Sequence, residues 1–210
     1  MRRDLPAPRG AIIAGGEASR FQGRPKGLEQ VGGTRILDRL VASFLPALGT
    51  LPLLVANDSQ AGTWRPDLEV AADLRPGYGA LGGIHSAVRH GTAPVVCIAW
   101  DMPFVPPELI RLLADGLAAG YDAFLPESGG PRGLEPLCAA YGPACGPAIE
   151  ARLQAGDLRA IGFHADLKVG ILSLDRVRRL GDPDYLFFNV NTADDLAKAD
   201  ELWRRHESSR

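Results

Sequence analysis

Residues 93–101, reading APVVCIAWD, are the most hydrophobic run in the chain and the feature that most restricts its fold. A run so apolar, without alternation, leaves no face for water, so a strand made from it must be covered on both sides. It is read as a central parallel strand, stopped by Pro103, Pro106 and Pro107. A helix follows over about 107–119, with Pro107 in its first turn. At nine residues the run is far short of the roughly 18–20 needed to span a membrane.

The flanking sequence repeats this rhythm. Apolar residues at 10–14 read as a first strand. Ile36, Leu37, Leu40, Val41, Phe44, Leu45 and Leu48 recur at helical spacing, with Thr34 placed to cap the helix and Gly49 to end it. Short strands are expected at 51–57 and 68–73. The glycine-rich segment 75–88 reads as a tight loop feeding a helix that starts near Leu81. A strand at 121–126 completes a first half. Strands at 134–141 and 167–174, a helix ended by Gly156, a shorter helical piece at 157–163 and an extended aromatic segment at 183–191 follow. Thr192 and Asp195 stand at capping-box spacing ahead of a last helix that carries Arg204 and Arg205 in its final turn. Alternation of strand and helix predicts an α/β fold: a doubly wound, mostly parallel (mixed) Rossmann-like sheet with helices on both faces. The expected organisation is a single domain over 1–210, with a nucleotide-binding half at about 10–125 and an acceptor-binding half at about 126–205.

Net charge of −2 gives no global basic field for nucleic acid or a membrane surface, so cationic groups must act locally on a small anionic ligand. Cys97, Cys138 and Cys145 lack C-x-x-C spacing and sit in apolar or Gly/Pro surroundings, which fits buried thiols in a reducing compartment. The segment MRRDLPAPRG has no apolar core of a secretory signal, and a cytoplasmic location is the expectation. His85, His90, His164 and His206 show no ligand spacing, and no nucleophile–base pair is evident.

The chemistry concentrates in residues 10–28, GAIIAGGEASRFQGRPKGL. A strand enters the double glycine Gly15–Gly16, and a polar loop follows with Arg20, Arg24 and Lys26. Glycines let backbone N–H groups approach an anion and clustered cations balance its charge, so the stretch reads as a phosphate cradle. It is not a Walker A loop, because Lys26 follows Pro25 and no Ser or Thr comes after it. It also lacks the G-x-G-x-x-G spacing of a dinucleotide site. In a doubly wound sheet, ligands sit beyond the carboxyl ends of the strands. Gly15, Asp73 and Asp101 all fall just past predicted strands and can converge on one crevice.

This stretch resembles the signature of the nucleotidyltransferase superfamily. Within it, IAGGEASRFQGRPKGL is similar to the leading motif of bacterial molybdenum cofactor guanylyltransferases, the MobA family. Further matches come in the family's order over nearly the whole chain: DLRPGYGALGGI (73–84), WDMPFVPPELI (100–110), LEPLCAAY (134–141) and FNVNTADDLAKA (188–199). Two departures stand out. Trp100 occupies the position before the aspartate where the family usually has Cys, and is expected to crowd or wall the site; Gln22–Pro25 replaces a second glycine and an acid.

The resemblance implies transfer of GMP from GTP to molybdenum-loaded molybdopterin, with release of pyrophosphate. Lys26, Asp101 and Arg20 would be catalytic, and Asp101 would hold Mg²⁺ that bridges phosphate oxygens. Ile13, Ala14, Gly15, Gly16, Asn57, Asp73, Gly79 and Leu81 would join Lys26 and Asp101 around the nucleotide. Arg132, Glu135, Asn189 and Asn191 would face the pterin phosphate. Bland readings stand beside several of these: a turn at Asp73 or Asn57, and helix capping at Asn189 and Asn191. The open alternatives are a cytidylyltransferase or other nucleotidyltransferase of the same fold, and a non-catalytic nucleotide-binding delivery protein. Implied partners beyond the substrates are molybdoenzymes or their chaperones, with no nucleic acid and no membrane.

Overall fold

A computed structural model describes residues 6–14, 20–21, 24–130, 133–160, 162 and 167–208, with Arg20, Phe21 and Arg24 described by their backbone alone. One sheet contains β1 (Arg9–Ile13), β2 (Leu53–Val55), β3 (Val70–Ala71), β4 (Val95–Ala99), β5 (Ala123–Pro126), β6 (Cys138–Tyr141) and β7 (Val169–Leu172). Their order across the sheet is β7-β5-β6-β4-β1-β2-β3. From β1 the chain moves outward to β2 and β3, then returns to place β4 on the other side of β1. Such a reversal opens a crevice at the carboxyl ends of the two central strands.

Every residue of β4 is buried, as its composition requires. It is parallel to β1 but antiparallel to β6, so the expectation of a strand in a parallel environment holds on one side only. Burial on both faces demands apolar residues whichever way the neighbour runs, and strand direction leaves no mark in such a pattern.

The helices are α1 (Ile36–Leu48), α2 (Ala61–Trp64), α3 (Gly79–Arg89), α4 (Pro107–Ala118), α5 (Cys145–Gln154), α6 (Leu174–Arg178), α7 (Pro183–Leu186) and α8 (Ala193–Ser208). Side chains alternate across a strand. Accordingly Ile12, Val96 and Ile98 pack with Leu37 and Phe44 of α1, Leu109 of α4 and Ala199 of α8. On the opposite face, Ala11, Ile13 and Cys97 meet Leu81 and Ile84 of α3 and Ile149 of α5. Each large aliphatic side chain sealed in these layers contributes about 1.5–3 kcal/mol.

Four local outcomes differ from the sequence reading. Thr34 does not cap α1; it pairs with Val31 in a two-residue ribbon (Gln30–Val31 with Thr34–Arg35), and the helix opens at Arg35 without a side-chain cap. The α3 helix begins at Gly79 and carries Gly82 and Gly83 inside it. A Cβ on Gly83 would lie 2.5 Å from Ile13 Cγ2, so close approach to β1 explains a residue that costs a helix about 1 kcal/mol. The segment expected to be extended at 183–191 starts as α7, because the Asp182 carboxylate accepts the Asp184 N–H at 3.1 Å and Pro183 opens the helix. Residues 157–159 are irregular rather than helical, and Ile161 and Phe163 lie outside the described residues.

Other expectations hold. Gly49 ends α1 at φ 73°. The capping box of α8 forms, with the Asp195 N–H donating to Thr192 Oγ1 at 3.2 Å and the Thr192 N–H to Asp195 Oδ2 at 2.9 Å. No helix among the described residues is long and apolar enough to cross a membrane.

Candidate active site

At the carboxyl end of β1 the backbone ladder closes the base of the crevice: the Trp100 N–H donates to the Ile13 carbonyl at 3.2 Å on the β4 side, and the Ala14 N–H to the Val55 carbonyl at 2.8 Å on the β2 side. Asp101 follows β4 and sits at the mouth. Lys26 reaches the same place from a short 3₁₀ turn (Lys26–Leu28), its side chain almost wholly buried and its ammonium 3.9 Å from Asp101 Oδ2. A buried lysine requires partners. The second one comes from the other end of the chain, where Asn191 Oδ1 accepts from Lys26 Nζ at 2.7 Å.

Burial pushes the Asp101 carboxyl above its ordinary value, and the Lys26 ammonium draws it only part of the way back. Asp101 Oδ1 is buried with no hydrogen-bond partner among the described residues. An orphaned carboxylate oxygen is a donor suited to a hard cation such as Mg²⁺, which uses one or two protein carboxylates and completes its shell with phosphate and water. Among the described residues no group of three or more His, Cys, Asp or Glu could hold a metal by itself, so the fit is to a cation shared with a substrate.

Asp73 lies beyond β3, and Asn57 beyond β2. Their side chains grip each other: Asn57 Nδ2 donates to Asp73 Oδ2 at 2.8 Å, and the Asp73 N–H donates to Asn57 Oδ1 at 2.8 Å. Burial raises the Asp73 carboxyl, opposed by the Asn57 hydrogen bond. The loop from Asp73 to Gly79 is tied down by an ion pair from Arg75 to Glu150 of α5, which also lies 3.1 Å from His85 Nε2. Gly79 itself starts α3 at φ 58°, whereas the Leu81 side chain is fully buried in the core.

Residues 10–167 match the family described as the MobA-like NTP transferase domain. The chain belongs to that family. Similar proteins include a probable molybdenum cofactor guanylyltransferase of Pelotomaculum thermopropionicum, 36% identical over 192 residues and covering 90% of each chain. A molybdenum cofactor guanylyltransferase of Desulfosudis oleivorans is 31% identical over 198 residues, covering 93% of this chain and 96% of that one. The crystal structure of molybdopterin-guanine dinucleotide biosynthesis protein A from Archaeoglobus fulgidus superposes with a TM-score of 0.78 at 29% identity, covering 94% and 99% of the two chains. Membership makes this chain a nucleotidyltransferase of the MobA-like type, and the sheet is the mixed, mostly parallel one of that fold.

Of the residues the sequence singled out for a MobA-like site, the structure joins Lys26, Asp101 and Asn191 at one point and Asn57 with Asp73 at another. Gly15, Gly16 and Arg132 lie outside the described residues, and Arg20 is placed only as backbone, paired with Pro25. Glu135 is half-buried just ahead of β6. Asn189 donates its amide to the Phe187 carbonyl at 2.8 Å, a local use.

Trp100 does not crowd the crevice. Its indole is buried, stacked on Trp64 at 5.3 Å between ring centroids, and it floors the turn that carries Lys26. A Cβ on Gly27 would lie 2.5 Å from Trp100 Cε3, so the turn rests directly on the ring. Sequence reasoning missed Gly27; a glycine beside the lysine of a motif, in a chain with a bulky residue before the aspartate, was the available signal. The thiols are out of play: burial raises Cys97 and Cys138 far above their ordinary range and pushes Cys145 up to about 12.

Proposed function

We propose that this chain is a cytoplasmic, Mg²⁺-dependent molybdenum cofactor guanylyltransferase, transferring GMP from GTP to molybdenum-loaded molybdopterin. The observation that carries the reading is the convergence of a buried lysine, a desolvated aspartate with a free oxygen and an asparagine from the C-terminal segment at the strand-order reversal. The terminal phosphate oxygen of the acceptor attacks the α-phosphorus; the bond from that phosphorus to the bridging oxygen breaks, and pyrophosphate leaves. No covalent enzyme intermediate is needed, which agrees with the inert thiols.

The protein's work in this scheme is positioning and charge stabilisation. Lys26 faces the negative charge that grows on the departing pyrophosphate, and its fixed partners keep it in place before the reaction begins. Asp101 would hold Mg²⁺ on the protein side, and the cation would supply neutralisation of phosphate charge. The Asn57–Asp73 pair suits the ribose or base, with Ile13, Ala14 and Gly79 supplying backbone near the nucleotide. Gly15, Gly16 and Arg20 complete the phosphate cradle in this reading. Arg132, Glu135, Asn189 and the free amide of Asn191 serve the acceptor, and molybdoenzymes or their chaperones receive the product.

The test is release of pyrophosphate by purified protein supplied with magnesium, molybdenum-loaded pterin and either GTP or CTP. Turnover with GTP in clear excess over CTP is expected. A preference for CTP would move the chain to a cytidylyltransferase, and no turnover with either would overturn the assignment.

A further inference from the structure

Lys26 is aimed by a helix whose first residue lies more than 160 positions away. Its ammonium donates to Asn191 Oδ1, and the backbone of Asn191 is pinned on both sides. Ahead of it, the N–H of the fully buried Val190 donates to the Asp101 carbonyl at 2.9 Å. From Asn191 onward, Asp195 Oδ2 takes three donors: the Asn191 N–H at 3.0 Å, the Thr192 N–H at 2.9 Å and the Thr192 hydroxyl at 2.9 Å. An ordinary capping box joins the N3 side chain to the N-cap N–H alone. The additional bond to the preceding residue fixes the residue that holds the lysine.

The helix that carries Asp195 is itself seated against the segment that follows Lys26. Asp200 Oδ1 accepts the Gly32 N–H at 2.7 Å, and Arg39 of α1 lies over the Trp203 ring at 3.8 Å. The start of α8 and its middle therefore hold residues 26–39 as a unit. Burial would raise the Asp195 carboxyl, yet the Thr192 hydroxyl, the two amides and Lys198 hold it below its usual range, so it is ionised as a multiple acceptor must be.

We propose that Asp195 is a positioning residue for the transfer: by fixing Asn191 it holds Lys26 beside Asp101. This rests on the guanylyltransferase reading for its kinetic consequence, whereas the placement of Lys26 can be measured independently. The variants are Asn191→Ala, Asp195→Ala, Asp195→Asn and the double Asn191→Ala/Asp195→Ala. Melting temperature, pyrophosphate release with its kcat and KM, and the acetylation rate of Lys26 read by mass spectrometry are followed for each.

The expected result is a fall of about tenfold in kcat for each alanine variant, the scale of one hydrogen bond to a charged group. The double variant should lose no more than the worse single one, because the two residues act in series. Lys26 should be acetylated faster in both alanine variants. Asp195→Asn, which keeps an acceptor oxygen, should restore slow labelling and most of kcat.

Unchanged Lys26 labelling in Asp195→Ala would overturn the proposal, as would additive losses in the double variant. A lowered melting temperature with kcat and labelling intact would reduce Asp195 to a helix cap. If the wild type released no pyrophosphate with either nucleotide, the reaction assignment would fall, and faster Lys26 labelling in both alanine variants would still support the positioning role.

Discussion

Asp101 and Asp73 follow β4 and β3, two strands of one parallel set with β1 and β2 between them, and are alike in isolation: burial raises both carboxyls, and each keeps one buried oxygen without a hydrogen bond among the described residues. Their surroundings separate them. Asp73 is locked by a two-way grip with Asn57 that fixes the plane of its carboxylate. Asp101 has no such grip from another residue among the described ones: its own backbone and an ammonium at 3.9 Å are what oppose its burial. A carboxylate aimed by an amide is suited to reading a neutral hydroxyl or base edge. One left unaimed beside a cation, in a partly dry site, can turn both oxygens to an incoming metal–phosphate group. Under the proposed function, similar desolvation would serve two different tasks, with the neighbour deciding which.

The hardest test of this contrast is Asp101→Asn. It should cut kcat by about 10³-fold or more, as removal of a group that acts mainly in the transition state does, with the protein still folded by circular dichroism. Asp73→Asn should act mainly through binding, raising KM for GTP by about tenfold with kcat nearly kept. Equal kcat losses in the two variants would erase the distinction.

Stability should separate them in the other direction. The carboxyl of Asp101 is raised in the folded state, so its charged form opposes folding above that raised value, and the penalty is relieved as pH falls toward the unfolded value near about 4. Asp101→Asn should therefore melt higher than wild type at pH 7, by about 2–4 °C for each kcal/mol relieved, and the gap should close on acidification. Asp73→Asn gives a smaller gain, because the Asn57 grip already compensates part of the burial. A lower melting temperature for Asp101→Asn at pH 7 would contradict the direction assigned to its carboxyl. The smallest effect is expected from Asn57→Ala, which removes two hydrogen bonds at an exposed position. A loss of about 1 kcal/mol in chemical denaturation and a rise of only a few-fold in KM for GTP should follow.

Much of this architecture is legible in the sequence, for identifiable reasons. The apolar run ending at Ala99, the helical spacing ending at Gly49 and the Thr192–Asp195 pair all act within a few residues, so local physics decides them. The antiparallel direction of β6 was not legible, because burial on both faces selects the same residues in either direction. At α7 the aromatic residues suggested an extended segment, but a single Asp–Pro start outweighed them. In the site, Lys26, Asp73, Asp101, Asn57 and Asn191 could each be picked out singly, while the pairings among them could not. The bond from Lys26 to Asn191 joins the two ends of the chain, and the floor that Trp100 provides for Gly27 is a matter of shape.

The Lys26–Asn191 bond also bears on how such a protein is made. Synthesis runs from the N-terminus, so Lys26 leaves the ribosome well before Asn191 is made. Until Asn191 and the first turn of α8 have emerged, Lys26 lacks its hydrogen-bond acceptor, and Gly32 and Arg39 lack the helix that packs on them. The placement of Lys26 beside Asp101 is therefore set only after residues 190–200 have been made.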